Sequence, residues 1–270
     1  MSAPARSFLF APGNRPERFA KACAAGADAV IVDLEDAVPP SDKLAARDAL
    51  AAWVSPASPV LVRINSADSE WFRDDLALCG LPGVAGVILP KAEREHDLAI
   101  IAAAGAKAIL PLIESAQGLW NAIGLARAPC VRRLVFGAID FSLDLGIVEG
   151  YEELLYFRSQ LVLVSRVAGI EPPVDGVTTA LDDPALVRQD TLRGRALGFG
   201  GKLCIHPKQV ALVNAAFAPT VEELAWAVRV LDAAALSNGA AVAMDGKMVD
   251  RPVIQIAQQM LDEAARRAGP

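Results

Sequence analysis

A chain of 270 residues, 53% hydrophobic and 21% charged, carries enough apolar mass for a folded core, which excludes a disordered or low-complexity protein. Its 26 basic and 32 acidic side chains leave a formal charge of −6, a balance that argues against nucleic acid as the partner. Mean hydropathy is +0.34, yet no run of about 18 uncharged apolar residues is present to span a membrane, and the apolar stretch 99–113 is broken by Lys107 and Pro111.

Short apolar runs then alternate with Ala-rich helical stretches. The predicted strands begin with SFLFAPG from Ser7, DAVIVDLED from Asp28, PVLVRINS from Pro59 and VAGVILPKA from Val84. They continue with KAILPLIES from Lys107, RRLVFGAIDF from Arg132, a weaker PPVDGV from Pro172 and GGKLCIHP from Gly200. Their centres are apolar on both faces, as strands covered by helices must be. Helical spacing occupies residues 16–25, 42–54, 98–104, 116–126, 152–167 and 184–197. Eight such units read as a parallel α/β barrel of the (β/α)₈ type, spanning residues 1–218. An open doubly wound sheet fits less well, since no GxGxxG follows the first strand.

Residues 219–270 leave this rhythm and form a separate helical segment with a flap. Thr220 reads as the N-cap of a helix over 220–235, with Glu222 and Glu223 in its first turn. A Gly-punctuated stretch, SNGAAVAMDGKMVDRPV from Ser237, precedes an amphipathic helix over 254–267. Residues 244–253 are too polar for core and too patterned for a linker, which suits a flap or an arm onto a neighbouring subunit.

In a parallel barrel the chemistry gathers at the C-terminal strand ends. Here apolar cores lead into Asp33, Glu35 and Asp36, into Arg63 and Asn65, into Lys91, into Glu114, into Asp140 and into His206. Carboxylates brought together need a cation or shared protons. Two histidines and no cysteine cluster disfavour zinc, whereas an oxygen-rich set suits Mg²⁺ or a similar hard divalent ion. A salt-bridged mouth without metal is the competing reading of the same pattern.

Other residues read as structural. His206 precedes Pro207 at a turn, His96 lies in a charged helix start, and Lys202 reads as a paired lysine. The glycines in 198–201 lack a P-loop pattern, Asp144 and Asp175 suit loop caps, and Leu119 and Trp120 suit packing. Arg127, Arg132 and Arg133 read as a solvated connection. The four scattered cysteines form no CxxC pair, and the N-terminus carries no secretory hydrophobic region, so reduced thiols and a cytoplasmic location are expected.

From RSFLFAPG at Arg6 through DLEDAV, VRIN, LPK, LIES, GAID and GGKLCIHPKQ to MDGKMVDRPV, the chain resembles the citrate lyase β subunit-like family, with its malyl-CoA, citramalyl-CoA and related acyl-CoA lyases. The resemblance implies a Mg²⁺-dependent (or Mn²⁺-dependent) carbon–carbon lyase that acts on an acyl-CoA thioester and assembles as a homotrimer or hexamer. It implies Glu114 and Asp140 as metal ligands, with Glu35 and Asp36 accepting hydrogen bonds from the waters around the ion. Arg63 is implied as the cation facing the thioester enolate or substrate carboxylate, and Asp250 as the acid/base group from the flap of a neighbouring subunit. Gly137, Ala138, Lys91, Arg6 and Lys21 are implied near the substrate and its CoA phosphates. One departure stands out: the family pattern Gly-Ala-Glu-Asp reads Gly137-Ala138-Ile139-Asp140 here. Metal-dependent pyruvate aldolases share the barrel and the strand-end acids, and a citryl-carrier-protein lyase subunit active only in a complex is the other alternative.

Overall fold

Apolar runs buried on both faces build a closed parallel sheet. In the computed structural model, which describes residues 4–148, 150–236 and 241–268, the strands are β1 (Ser7–Pro12), β2 (Ala29–Asp33), β3 (Val60–Arg63) and β4 (Val84–Leu89). β5 (Ile109–Ile113), β6 (Arg133–Phe136), β7 (Glu171–Asp175) and β8 (Gly201–Cys204) complete a barrel in chain order, and β8 pairs back onto β1. The helices are α1 (Phe19–Cys23), α2 (Lys43–Trp53), α3 (Phe72–Asp75), α4 (Glu95–Ala103) and α5 (Ala116–Trp120). α6 (Ala122–Arg127), α7 (Ala138–Leu145), α8 (Leu155–Ala168), α9 (Pro184–Leu197) and α10 (Pro207–Phe217) complete the ring. This is the (β/α)₈ architecture expected.

Period-2 alternation divides each strand between two layers. Phe8, Ile31, Leu61, Ile88, Leu110, Leu112, Val135 and Leu203 fill the interior. Leu9, Val32, Val62, Leu89, Ile113 and Phe136 face the helices. Helix ends are marked by their capping chemistry: Asp183 accepts from Leu186 N–H at the start of α9, and Gly198 leaves it at φ 103°.

Four local readings are corrected. GAID does not extend the sixth strand: pairing ends at Ile113↔Phe136, Gly137 turns the chain, and Asp140 falls in the first turn of α7. The helix predicted over 116–126 breaks at Asn121, whose side chain is drawn to the Glu93 carbonyl. Trp120 is 86% exposed rather than packed, while Leu119 does meet the core. Arg133 is not solvated: it sits inside the floor of the barrel, over the Phe8 ring, and donates to the carbonyls of Pro172 and Ala5.

A second compact unit gathers Ala218–Pro270 with Met1–Pro4. Its described part holds α11 (Val221–Leu236), an antiparallel hairpin of β9 (Val242–Met244) and β10 (Lys247–Val249), and α12 (Arg251–Ala268). Thr220 and Glu223 form a reciprocal capping box, the hydroxyl taking Glu223 N–H and the carboxylate taking Thr220 N–H. Asp245 and Gly246, both at positive φ, supply the tight hairpin turn. Residues 237–240, where the Gly-punctuated segment begins, lie outside the described residues. No helix among the described residues is long and apolar enough to cross a membrane.

Arg133→Ala should cost about 3 kcal/mol of stability, since it leaves a void under Phe8 and two carbonyls without their donor. Denaturant unfolding measures this, and an unchanged midpoint would show the floor to be solvated.

Candidate active site at the barrel mouth

The register of β2 against β3 sets Asp33 directly beside Arg63, both on the inward-facing period of their strands. Arg63 Nε and Nη2 donate to the two Asp33 oxygens, each at 2.7 Å. Such a planar two-point pair fixes the guanidinium in place. Asp33 also accepts from the N–H groups of Glu35 (2.9 Å) and Ala37 (3.0 Å), folding the DLEDAV loop over the mouth. Buried Lys43 secures that loop from behind, donating to the Leu34 and Glu35 carbonyls at 2.7 Å each. The loop thereby aims Glu35 and Asp36 at Arg63 Nη1, at 3.0 and 3.3 Å. Although Glu35 Oε2 is within ion-pair distance, it is buried and accepts no hydrogen bond.

Across the mouth, Glu114 follows β5 and is nearly fully buried. Its Oε1 accepts Lys91 N–H at 2.8 Å, an approach made by Lys91 at φ 49°, a conformation rare for a residue with a side chain. Lys91 Nζ reaches Glu35 Oε1 at 3.6 Å. Beside Glu114 on the next strand end stands Gly137, where a Cβ would lie 2.6 Å from both Glu114 Cβ and Oε2. Only glycine leaves that carboxylate its room. Asp140 enters from the first turn of α7 and lines the same cavity of about 400 Å³.

Burial pushes the Glu114 carboxyl up to about 8, reinforced by the charges of Glu35 and Asp140. Burial likewise raises Glu35 to about 7, with Arg63 opposing and Asp36 adding to it. Arg63 loses hydration on burial, but its hydrogen bonds to Asp33 and the nearby carboxylate charges more than offset this and hold its pKa above the ordinary value. Five carboxylates (Asp33, Glu35, Asp36, Glu114, Asp140) thus stand against three cations (Arg63, Lys91 and, behind the loop, Lys43). The surplus, with an orphaned Glu35 oxygen, fits a hard divalent cation held by few side chains and completed by water. Among the described residues no three His, Cys, Asp or Glu side chains form a closed cage. Glu114, just after β5, and Asp140, in the first turn of α7, are the acids of the mouth cavity on neighbouring units able to hold one.

The cavity lining also includes the apolar side chains of Phe10, Leu112, Val177, Leu203 and Ile205, with the Phe10 ring centroid 4.9 Å from Arg63 Cζ, and Ile139 is 55% exposed. Glu35, Asp36, Arg63, Glu114, Gly137, Ala138 and Asp140 therefore meet at one mouth, with Lys91 in the adjoining groove. Arg6 does not join them. It precedes β1 at the N-terminal end of the barrel, buried beside Asp28, while Phe10 and Pro12 at the far end of that strand line the cavity. Lys21 is an exposed residue of α1 outside the cavity lining. Asp250 belongs to the second unit, where its backbone carbonyl accepts Ile254 N–H at the start of α12. Asp33 and Lys43 orient the site. The sequence marks Asp33 as a strand-end acid, two residues after Ile31, but not its partner, which depends on strand register, and it does not mark Lys43.

A family model described as HpcH/HpaI aldolase/citrate lyase matches residues 6–207. The citrate lyase subunit beta-like protein of Deinococcus radiodurans is 41% identical, covering 96% of this chain and 97% of that protein. A (3S)-malyl-CoA thioesterase of Cereibacter sphaeroides is 36% identical, covering 97% and 95%. The crystal structure of protein CitE from Mycobacterium tuberculosis, in complex with magnesium, acetoacetate and coenzyme A, superposes with a TM-score of 0.87 at 35% identity, covering 97% of this chain and 98% of that one.

Gly137→Ala should push the Glu114 carboxylate aside and weaken Mg²⁺ binding by about tenfold or more, with the fold intact by circular dichroism. Calorimetric titration reads the affinity, and wild-type affinity would refute the steric argument. Because the Glu114 pKa is raised above its ordinary value of 4.5, the stability linked to its proton is present below that pH and is lost as pH climbs through about 8. With chelator present, the melting temperature should fall across that window, and Glu114→Gln should flatten the fall. An unchanged slope in the variant would refute the linkage.

Proposed function

This chain belongs to the HpcH/HpaI aldolase/citrate lyase family, and on that premise we propose that it is a Mg²⁺-dependent carbon–carbon lyase cleaving a 3-hydroxyacyl-CoA thioester, malyl-CoA-like or citramalyl-CoA-like. The products would be acetyl-CoA, or a related acyl-CoA, and a 2-oxo acid. The observation that carries this reading is the pairing of Glu114 and Asp140 opposite a rigidly held Arg63 in one cavity. The relative solved with magnesium, acetoacetate and coenzyme A supports the same cofactor and thioester class.

Glu114 and Asp140 would hold the ion, which when bound supplies Lewis-acid polarisation of a substrate oxygen. The substrate hydroxyl gives its proton to the Asp250 carboxylate as its oxygen becomes the carbonyl of the 2-oxo acid, and the electrons of the breaking carbon–carbon bond move toward the thioester carbonyl. Arg63, anchored by Asp33 through Nε and Nη2 and faced by Glu35 and Asp36 at Nη1, would turn its remaining Nη2 N–H to the developing oxyanion, and its position requires no rearrangement at that moment. Asp250 delivers the proton that the enolate carbon needs, from a neighbouring chain in a homotrimer or hexamer. Large apolar side chains left in water on α5 and α7, Trp120 at 86% and Leu143 at 80%, support burial against another chain. Ile139 leaves Asp140 without a second acid beside it and turns the rim apolar, which favours a substrate carrying alkyl rather than cationic groups there.

The relative named as a (3S)-malyl-CoA thioesterase defines the rival outcome, hydrolysis of the thioester. Purified protein with Mg²⁺ and malyl- or citramalyl-CoA should release an acyl-CoA and a 2-oxo acid, and EDTA should stop it. Free CoA with a hydroxy acid would instead establish hydrolysis, and turnover of free hydroxy-oxo acids alone would establish an aldolase. Glu114→Gln and Asp140→Asn should each reduce turnover by about a thousandfold or more, the scale of losing an essential electrostatic contact. Asp250→Asn should bind Mg²⁺ normally yet lose turnover. Loss of Mg²⁺ binding in that variant would make Asp250 a ligand instead.

A further inference from the structure

A second chamber, of about 420 Å³, lies outside the barrel wall between β7, β8 and helices α8 and α9. The layer between sheet and helices is mostly apolar, with a charged contact where Arg47 of α2 meets Asp75 of α3, and here it is charged as well. Asp175 from β7 and Lys202 from β8 meet Arg158 from α8 and Asp190 and Arg193 from α9. Arg158 Nε donates to Asp175 Oδ1 at 3.0 Å, Lys202 Nζ to the Gly176 carbonyl at 2.6 Å, and Thr178 Oγ1 to Asp190 Oδ2 at 2.7 Å. Arg193 reaches Asp190 only loosely, at 3.9 Å.

Arg158, Arg193 and Lys202 face two carboxylates in a space that is buried at Arg158, Asp175 and Lys202 and open at Arg193, and burial lowers the Lys202 pKa. Arg158 is only 7% exposed, and its Nη1 has no hydrogen-bond partner among the described residues. An unpaired guanidinium nitrogen at such depth is costly unless something arrives to accept its protons. The Tyr151 ring carries both guanidiniums, with Arg158 Cζ at 4.9 Å and Arg193 Cζ at 4.8 Å from its centroid. Two like charges held on one ring repel, and an anion between them would remove that cost.

We propose that this chamber is a second ligand site, for a small oxyanion of the phosphate or carboxylate class, held by Arg158, Arg193 and Lys202 beneath Tyr151. None of these side chains lines the mouth cavity, so the site is distinct from the one that performs the chemistry. Val177 lines both, which gives an anion in the chamber a packed neighbour of the substrate.

The test is calorimetric titration of the whole protein, free of Mg²⁺ and thioester, with inorganic phosphate in one arm and acetate in the other. It is therefore independent of the proposed lyase activity. Saturable binding of either anion at millimolar concentration is expected. Arg193→Gln and Tyr151→Leu, both changes at the chamber's outer side, should weaken it by about tenfold, the scale of one charge-assisted hydrogen bond. Arg158→Lys, which keeps the charge beside Asp175, should weaken it similarly. Lys91→Gln at the mouth should leave it unchanged. The arm that binds identifies the oxyanion. Absence of saturable binding in both arms, or binding lost in Lys91→Gln and kept in Arg193→Gln, would overturn the site.

Discussion

Carboxylates crowded at the mouth of a parallel barrel repel one another, and every feature of the upper barrel follows from how that repulsion is contained. Asp33 and Arg63 hold the central contact, a two-point pair between adjacent strands that turns a mobile cation into a fixed one. Lys43 and the Asp33 turn then hold Glu35 and Asp36 against the same guanidinium. Glu114 is buried on the other side with a backbone N–H and two like-charged neighbours, so burial first and those charges second hold its proton up to about 8. A site arranged this way is unbalanced without a further cation and settled with one.

The backbone accepts strain to keep that arrangement. Lys91 adopts a left-handed conformation so that its N–H meets Glu114, and Gly137 gives up a side chain so that Glu114 has space. Both lie at strand ends, where the barrel below supplies enough packing to hold an unfavourable geometry. The apolar side chains of the lining, from Phe10 against Arg63 to Ile205, are the complement: they lower the local polarity in which Arg63 acts on a developing negative charge. Charged and apolar side chains in one cavity suit a substrate with a metal-chelating head and an acyl body.

Charge is also built in where the chemistry does not need it. Arg133 fills the floor, donating to two carbonyls over the Phe8 ring, with its Nη2 left without a hydrogen-bond partner among the described residues. Arg158, at a similar depth between sheet and helices, has the same deficit at Nη1. What separates the two is their surroundings: Arg133 lies against backbone carbonyls and a ring, whereas Arg158 lines a chamber with Arg193 and Lys202.

The eight strands, their order and the acids at their ends were legible in the chain, because parallel strands covered on both faces must be continuously apolar and must stop where polar groups begin. The runs AVIV before Asp33 and ILPLI before Glu114 illustrate this, and the capping residues Asp183 and Thr220 were legible for the same local reason. What depended on register was not. Which acid faces Arg63, why position 137 must be glycine, and where the GAID strand gives way to a helix are decided by residues about 20 to 30 positions apart in the chain. Arg133 looked solvated and Trp120 looked packed, since a local pattern records a residue's neighbours in sequence and not which layer of the barrel it enters. The amino-acid sequence by itself determined the barrel and the composition of its mouth. Tertiary structure alone decided the pairings within it, because strand register and helix docking set distances that no local spacing contains.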